Sequence, residues 1–184
     1  MIDYHPGWLD QASREKLMNL APAWPFEQTE VVVWEKRHPV PRLTCFFSDT
    51  ETGYRYSNQE TPSNPYPPAV LAVKTQIETT VLPTGTLLQH CLANWYGSGA
   101  DCVGWHRDSE SIFGPNPVIA SISCGATRRF KMRNRETGEK LVFELASGDL
   151  LIFTDEHVRT WQHCVPKTAK PTGARLNLTF RSGR

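Results

Sequence analysis

The sequence predicts a mainly β domain with supporting helices, in a sandwich or barrel arrangement. Three observations carry this prediction. From Leu87 onward, short apolar runs recur, split by Gly, Asn, Asp and Pro, the pattern of many short strands. Helical spacing is confined to two segments upstream. The chain's 184 residues, 39% hydrophobic and 21% charged, suit one domain with a sizeable core and an ordinary composition.

Taken in order, Asp10 to Leu20 forms a short helix with Leu17 and Leu20 on its apolar side, ended by Pro22 and Pro25. Glu30 to Trp34 reads as a strand, Pro39 and Pro41 bracket a turn, and Thr44 to Phe47 reads as a second strand. Residues 57–68, with four prolines, form a loop. Val70, Val73 and Ile77 place a second helix over Ala69 to Thr80. The remaining strands are Leu87–Trp95, Val118–Ser123, Phe130–Met132, Leu141–Leu145, Leu150–Phe153 and Leu176–Phe180. No linker divides residues 1–184, which are expected to form a single domain.

Bulk properties narrow the function classes. No apolar run reaches the ~18 residues that cross a bilayer, and the N-terminus lacks a basic, apolar leader. A cytoplasmic protein is expected, or a nuclear one in a eukaryote, without membrane attachment. The five cysteines include no CxxC pair, which points to free buried thiols rather than a zinc site or disulfide framework. Net charge is +1, but residues 127–184 hold 12 Lys+Arg against 6 Asp+Glu. Arg128, Arg129, Lys131, Arg133 and Arg135 cluster there. Such a cluster binds phosphates, or is simply a solvated strand and turn.

Chemistry enters with His106-Arg107-Asp108. In an extended segment, residues two apart share a face, so an imidazole and a carboxylate can reach one metal. A distant second histidine would complete the 2-His-1-carboxylate triad that binds iron(II) with open positions. His157 and His163 are the candidates. His163 lies in the apolar segment Thr160 to Pro166, and His157 follows a polar turn-like Thr154-Asp155-Glu156, so His163 is preferred. At the C-terminus, Arg175, Asn177, Thr179 and Arg181 alternate with Leu176, Leu178 and Phe180. One strand face thus offers two guanidinium groups, whose forked geometry suits a dicarboxylate. Such a strand with its polar face in water is the plain alternative.

Together, Asn94-x-Tyr96, His106-x-Asp108, His163 and Arg175-x-Asn177-x-Thr179-x-Arg181 resemble the AlkB family of nucleic-acid dealkylases. Ile119 to Arg128 is similar to a central strand of its members. Lys36-x-His38-x-Val40-Pro41-Arg42 and Tyr54-x-Tyr56-Ser57 are similar to the nucleotide-recognition lid of its DNA-repairing homologues. The resemblance implies a double-stranded β-helix, or jelly roll, with a lid at about 30–60 and a catalytic core at about 87–181. It implies iron(II) held by His106, Asp108 and His163, and a 2-oxoglutarate pocket lined by Asn94, Tyr96, Arg175, Asn177, Thr179 and Arg181, with O2 as oxidant. Arg175 would pair with the distal carboxylate of the co-substrate and Arg181 with the one near the metal.

The implied substrate is alkylated DNA or RNA, such as 1-methyladenine or 3-methylcytosine; a monomer is expected. A base must be flipped out to reach such a site. Tyr56 would then stack on it, with Tyr54 and Arg42 in the lid and Trp34 as an intercalating wedge. Arg128, Arg133 and Arg135 would contact phosphates. The sequence departs from the DNA-repairing pattern at Ser109, where those relatives carry an acidic residue, and Glu110 is the nearest substitute. A 2-oxoglutarate hydroxylase of proteins or small molecules, and a nucleic-acid-binding module with a degenerate site, are the competing readings.

Overall fold

The computed structural model describes residues 2–33, 36–49, 54–56, 59–108, 117–154, 156–170 and 172–182. In chain order the elements are β1 (Ile2–His5), α1 (Gln11–Leu20), β2 (Glu30–Val33), β3 (Lys36–Pro39), β4 (Leu43–Ser48), β5 (Tyr54–Tyr56), β6 (Gln59–Thr61) and α2 (Pro68–Thr80). They continue with β7 (His90–Tyr96), β8 (Val103–His106), β9 (Val118–Gly125), β10 (Arg128–Asn134), β11 (Lys140–Leu145) and β12 (Leu150–Thr154). The last three are α3 (Glu156–Thr160), β13 (Trp161–Val165) and β14 (Arg175–Arg181).

The strands form an antiparallel jelly roll. A major sheet runs β1-β12-β9-β14-β7-β4, and a minor sheet runs β11-β10-β13-β8. The ribbons β2–β3 and β5–β6 stand apart from both. The major sheet has two covered faces, because successive side chains point to opposite sides. On β14, Leu176, Leu178 and Phe180 pack with α1 and α2 residues such as Leu17, Val70 and Ile77. On the opposite face, Ile119, Leu151 and Phe153 of the major sheet meet Phe130, Met132, Trp161 and Val165 of the minor sheet. The site lies in the second of these spaces.

Local signals explain most element boundaries. Asp10 caps α1, its Oδ1 accepting from the backbone N–H of Ser13 at 3.0 Å. Gly125 turns β9 into β10 with φ +84°, and a Cβ there would strike the carbonyl oxygen of Ala174. Asp149 ties β1 into the major sheet: its carboxylate accepts from Tyr4 Oη at 2.6 Å, Gly7 N at 2.8 Å and Ala146 N at 2.8 Å.

Three expectations change. The loop expected over 57–68 contains β6, whose Glu60 faces Arg55 of β5; pairing with a distant strand overrides a turn-rich composition. The strand expected from Leu87 begins at His90, and Leu87 is exposed. The turn expected between two prolines starts later, because Pro39 closes β3 opposite Glu30. All five cysteines are free, four of them buried. Among the described residues, no helix is long and apolar enough to cross a membrane.

Candidate metal centre and anion pocket

His106 ends β8 and His163 lies opposite it on β13, so one antiparallel pairing brings the two imidazoles together. Their ring centroids are 4.3 Å apart. Asp108, two residues beyond the strand end, closes the group: its Oδ1 lies 3.8 Å from His106 Nε2 and 3.9 Å from His163 Nε2. The three ligand atoms lie within 4.8 Å of one another. His157 sits apart on α3, stacked on Trp161.

The protonation states suit a cation. Burial lowers the pKa of His106, and burial with the neighbouring His106 pushes His163 down to about 3 despite Asp108. Both rings are therefore neutral at neutral pH, as metal ligands must be. The Nδ1 of His106 is 2.9 Å from the carbonyl oxygen of Gly104. A carbonyl only accepts, so Nδ1 carries the proton and Nε2 keeps its lone pair toward Asp108. Burial alone would raise the Asp108 pKa; Arg181, His163 and His106 together outweigh it and hold the carboxyl well below its usual range. Arg181 donates from Nε at 3.1 Å and Nη2 at 2.8 Å to the same Oδ2. Oδ2 is thus pinned and Oδ1 is left facing the histidines.

Behind this cluster, the pocket walls come from β14, β7 and β9. Asn94, Tyr96, Arg175, Asn177, Thr179 and Arg181 all line it, joined by Arg42 and Ser121. All seven residues of β14 are buried, because it lies between β9 and β7 and both sheet faces are covered. Its polar face is therefore not a solvated one. Arg175 is 1% exposed. Its Nη2 donates to Ser123 Oγ at 2.9 Å, while Nε and Nη1 have no partner. No carboxylate among the described residues pairs with it, and Tyr96 lies 5.2 Å from the guanidinium. A buried guanidinium with two unpartnered nitrogens is costly, and a carboxylate ligand would satisfy it. Three arginines around one aspartate leave the pocket in positive excess, which fits a dianion such as 2-oxoglutarate.

The other expected site residues divide. Asn177 lines the pocket, but its Nδ2 is spent on Ser121 Oγ and the Ile122 carbonyl, and its Oδ1 accepts from Thr179; it braces the wall. Arg181 has Asp108 as its first partner, rather than a free fork for the co-substrate. Arg42, expected in the lid, is buried and donates to Asn94 Oδ1 at 2.7 Å. Arg128, expected on phosphates, is corrected outright. It is 3% exposed and donates to the carbonyls of Ser98, Asp101 and Pro166; these loop carbonyls needed an internal donor. Arg133 is half-buried and donates twice to Gln162 Oε1. Arg135 is exposed on the β10–β11 turn.

Tyr54 and Tyr56 lie on β5, with their side chains outside the described residues. Trp34, Ser109 and Glu110 also lie outside them. Sequence reasoning missed Ser121 and Ser123. Their signal was present: two serines two apart in an apolar strand, on the face shared with Asn177 and Arg175.

The sequence model of the 2OG-Fe(II) oxygenase superfamily matches residues 2–181. The alpha-ketoglutarate-dependent dioxygenase alkB homolog 3 of Rattus norvegicus is 35% identical over 189 residues, covering 97% of this chain and 62% of that protein. The DNA oxidative demethylase ALKBH2 of Mus musculus is 32% identical over 160 residues, covering 83% of this chain and 66% of that protein. The chain thus spans less than two thirds of these relatives. A 2OG-Fe(II) family oxidoreductase structure from Burkholderia pseudomallei superposes with a TM-score of 0.65 at 15% identity, over 98% of this chain and 84% of that one. That likeness concerns the fold.

Proposed function

The chain belongs to the 2OG-Fe(II) oxygenase superfamily, and from that premise we propose that it removes alkyl groups oxidatively from nucleic-acid bases. The observation that carries the chemistry is the pairing of a three-ligand cluster with the buried guanidinium of Arg175, whose Nε and Nη1 have no partner. The nucleic-acid substrate is supported by the similarity to proteins named as alkB homologues and DNA demethylases.

When bound, iron(II), 2-oxoglutarate and O2 together supply the oxidant: one oxygen atom enters succinate as CO2 leaves, and the other enters the methyl group, which departs as formaldehyde. The residues of this chain bind and orient. His106, His163 and Asp108 would hold the metal through two neutral nitrogens and one anionic oxygen, a ligand set that leaves positions open for co-substrate and oxygen. Arg181 fixes which oxygen of Asp108 faces the metal position. Arg175 would hold one carboxylate of the keto acid, the one far from the metal position. Phe130 and Phe153 flank His163 at 5.3 and 5.7 Å and keep water from that side. A base reaches this pocket only when flipped out of its stack. In this reading Tyr54, Tyr56 and Trp34 serve the lid, with Ser109 and Glu110 beside the base. Arg135 would serve the phosphates.

The test is formaldehyde release from an oligonucleotide carrying 1-methyladenine or 3-methylcytosine, with iron(II), 2-oxoglutarate and ascorbate supplied or withheld. Turnover is expected only with the full set. His163→Ala should abolish it and His157→Ala should spare it; the reverse pattern overturns the ligand assignment. Iron-dependent succinate formation driven by a methyl-lysine peptide, with none driven by the oligonucleotide, overturns the substrate class.

A further inference from the structure

Trp105 immediately precedes His106 on β8, the edge strand of the minor sheet. Strand alternation sends the two side chains to opposite faces: His106 inward to the metal site, Trp105 outward. On that outer face the Arg133 guanidinium sits 4.3 Å from the indole centroid, and Gln162 holds it there with two hydrogen bonds at 3.0 and 2.8 Å. One face of the indole is therefore covered and braced. Trp105 nevertheless keeps 39% exposure, and among the described residues Arg133 is the cation packed on its ring, so part of the indole away from Arg133 remains accessible. The surroundings are cationic: Lys131 shares the outer face and Arg107 is exposed beyond the strand end. The acid of that face, Glu144, is paired with Arg129 at 2.8 Å.

We infer that the accessible part of Trp105 is a stacking site for an unpaired base next to the nucleotide entering the pocket, with Arg133 as the positioning residue beneath it. The inference rests on the dealkylase reading above. An aromatic plate with a fixed cation behind it and cations around it matches the chemistry of single-stranded nucleic acid: a π-face to stack and phosphates to neutralise. A buried structural tryptophan would not leave a face open, and a purely electrostatic surface would not need one. β8 is an edge strand of the minor sheet, with His106 on its inner face and Trp105 on its outer face, so a nucleic-acid strand passing over that edge can present neighbouring bases to both.

The test is binding of a fluorescent single-stranded oligonucleotide with one methylated base, read by anisotropy, with an abasic residue placed in turn at each flanking position. For the unaltered protein, an abasic residue at one flanking position should weaken binding by roughly five- to a hundred-fold, the range of base–aromatic stacking. Trp105→Ala should weaken binding of the intact oligonucleotide by the same factor and become indifferent to the abasic residue. Trp105→Phe should restore most of the loss, and the salt dependence should stay unchanged because no phosphate contact is removed. Equal binding of intact and abasic oligonucleotides by the unaltered protein overturns the stacking site without using any variant. So does a Trp105→Ala loss that is the same on both oligonucleotides. An unaltered protein that neither binds nor demethylates the oligonucleotide overturns the dealkylase reading instead.

Discussion

Arg175 and Arg181 have the same side chain on the same strand face, six residues apart, yet they are expected to respond oppositely to removal. Arg181 neutralises the buried Asp108. Taking it away strands a carboxylate in the interior, which typically costs ~3–5 kcal/mol. Arg175 neutralises nothing among the described residues and carries two unpartnered nitrogens; burial lowers its pKa, as expected for a cation waiting for an anion. Arg181→Met should therefore lower the melting temperature of the metal-free protein markedly. Arg175→Met should leave it level or raise it, while abolishing the thermal stabilisation that 2-oxoglutarate gives the unaltered protein. Equal destabilisation by both substitutions, in thermal-shift runs with and without 2-oxoglutarate, would show that Arg175 serves the fold and not the co-substrate.

At the scale of elements, the turn that carries the chain from β9 in the major sheet to β10 in the minor sheet governs both a sheet boundary and the reach of Arg128. It depends on Gly125, whose positive φ is compounded by the backbone of Ala174 lying where a Cβ would go. Gly138, in the β10–β11 turn, has φ +76° and open space around it. The two glycines separate two causes. Gly138→Ala should cost only the left-handed backbone penalty, about 1–2 kcal/mol. Gly125→Ala should cost clearly more, because the chain after Thr172 must also move. Urea midpoints at fixed slope measure the difference; equal costs would mean that the Ala174 segment yields without resistance.

For the whole molecule, the metal centre makes the metal-free protein acid-sensitive. His163 in the fold titrates at about 3 instead of 6.5, because of burial and the adjacent His106. The unfolded chain therefore takes up a proton below 6.5 that the folded chain refuses. This contribution to stability is complete above 6.5 and drains away as pH falls toward about 3. Asp108 is shifted in the same sense, so its contribution is present above its ordinary value of 3.8 and lost at lower pH. The urea midpoint of the metal-free protein should thus fall between pH 7 and pH 5, and His163→Gln should flatten that fall. An unchanged slope in the variant would assign the acid sensitivity to other groups.

Much of this was legible in the sequence. The two-residue period of residues 175–181 separated a polar from an apolar face, His106-x-Asp108 put two ligands on one side, and the apolar segment around His163 distinguished it from His157. These are local facts, because side-chain direction along a strand follows from backbone geometry alone. What local pattern does not contain is which face becomes covered, and by what. The closing of the minor sheet over the major one turned the polar face of β14 into a buried pocket. The same closure carried Arg128 inside to three loop carbonyls, joined Arg42 to Asn94, and set Arg181 on Asp108. It also left Trp105 braced by Arg133 with part of the indole accessible. Partners more than fifty residues apart, such as Asp108 and Arg181, meet only through sheet topology, and a buried charge is satisfied by whatever that topology brings within reach.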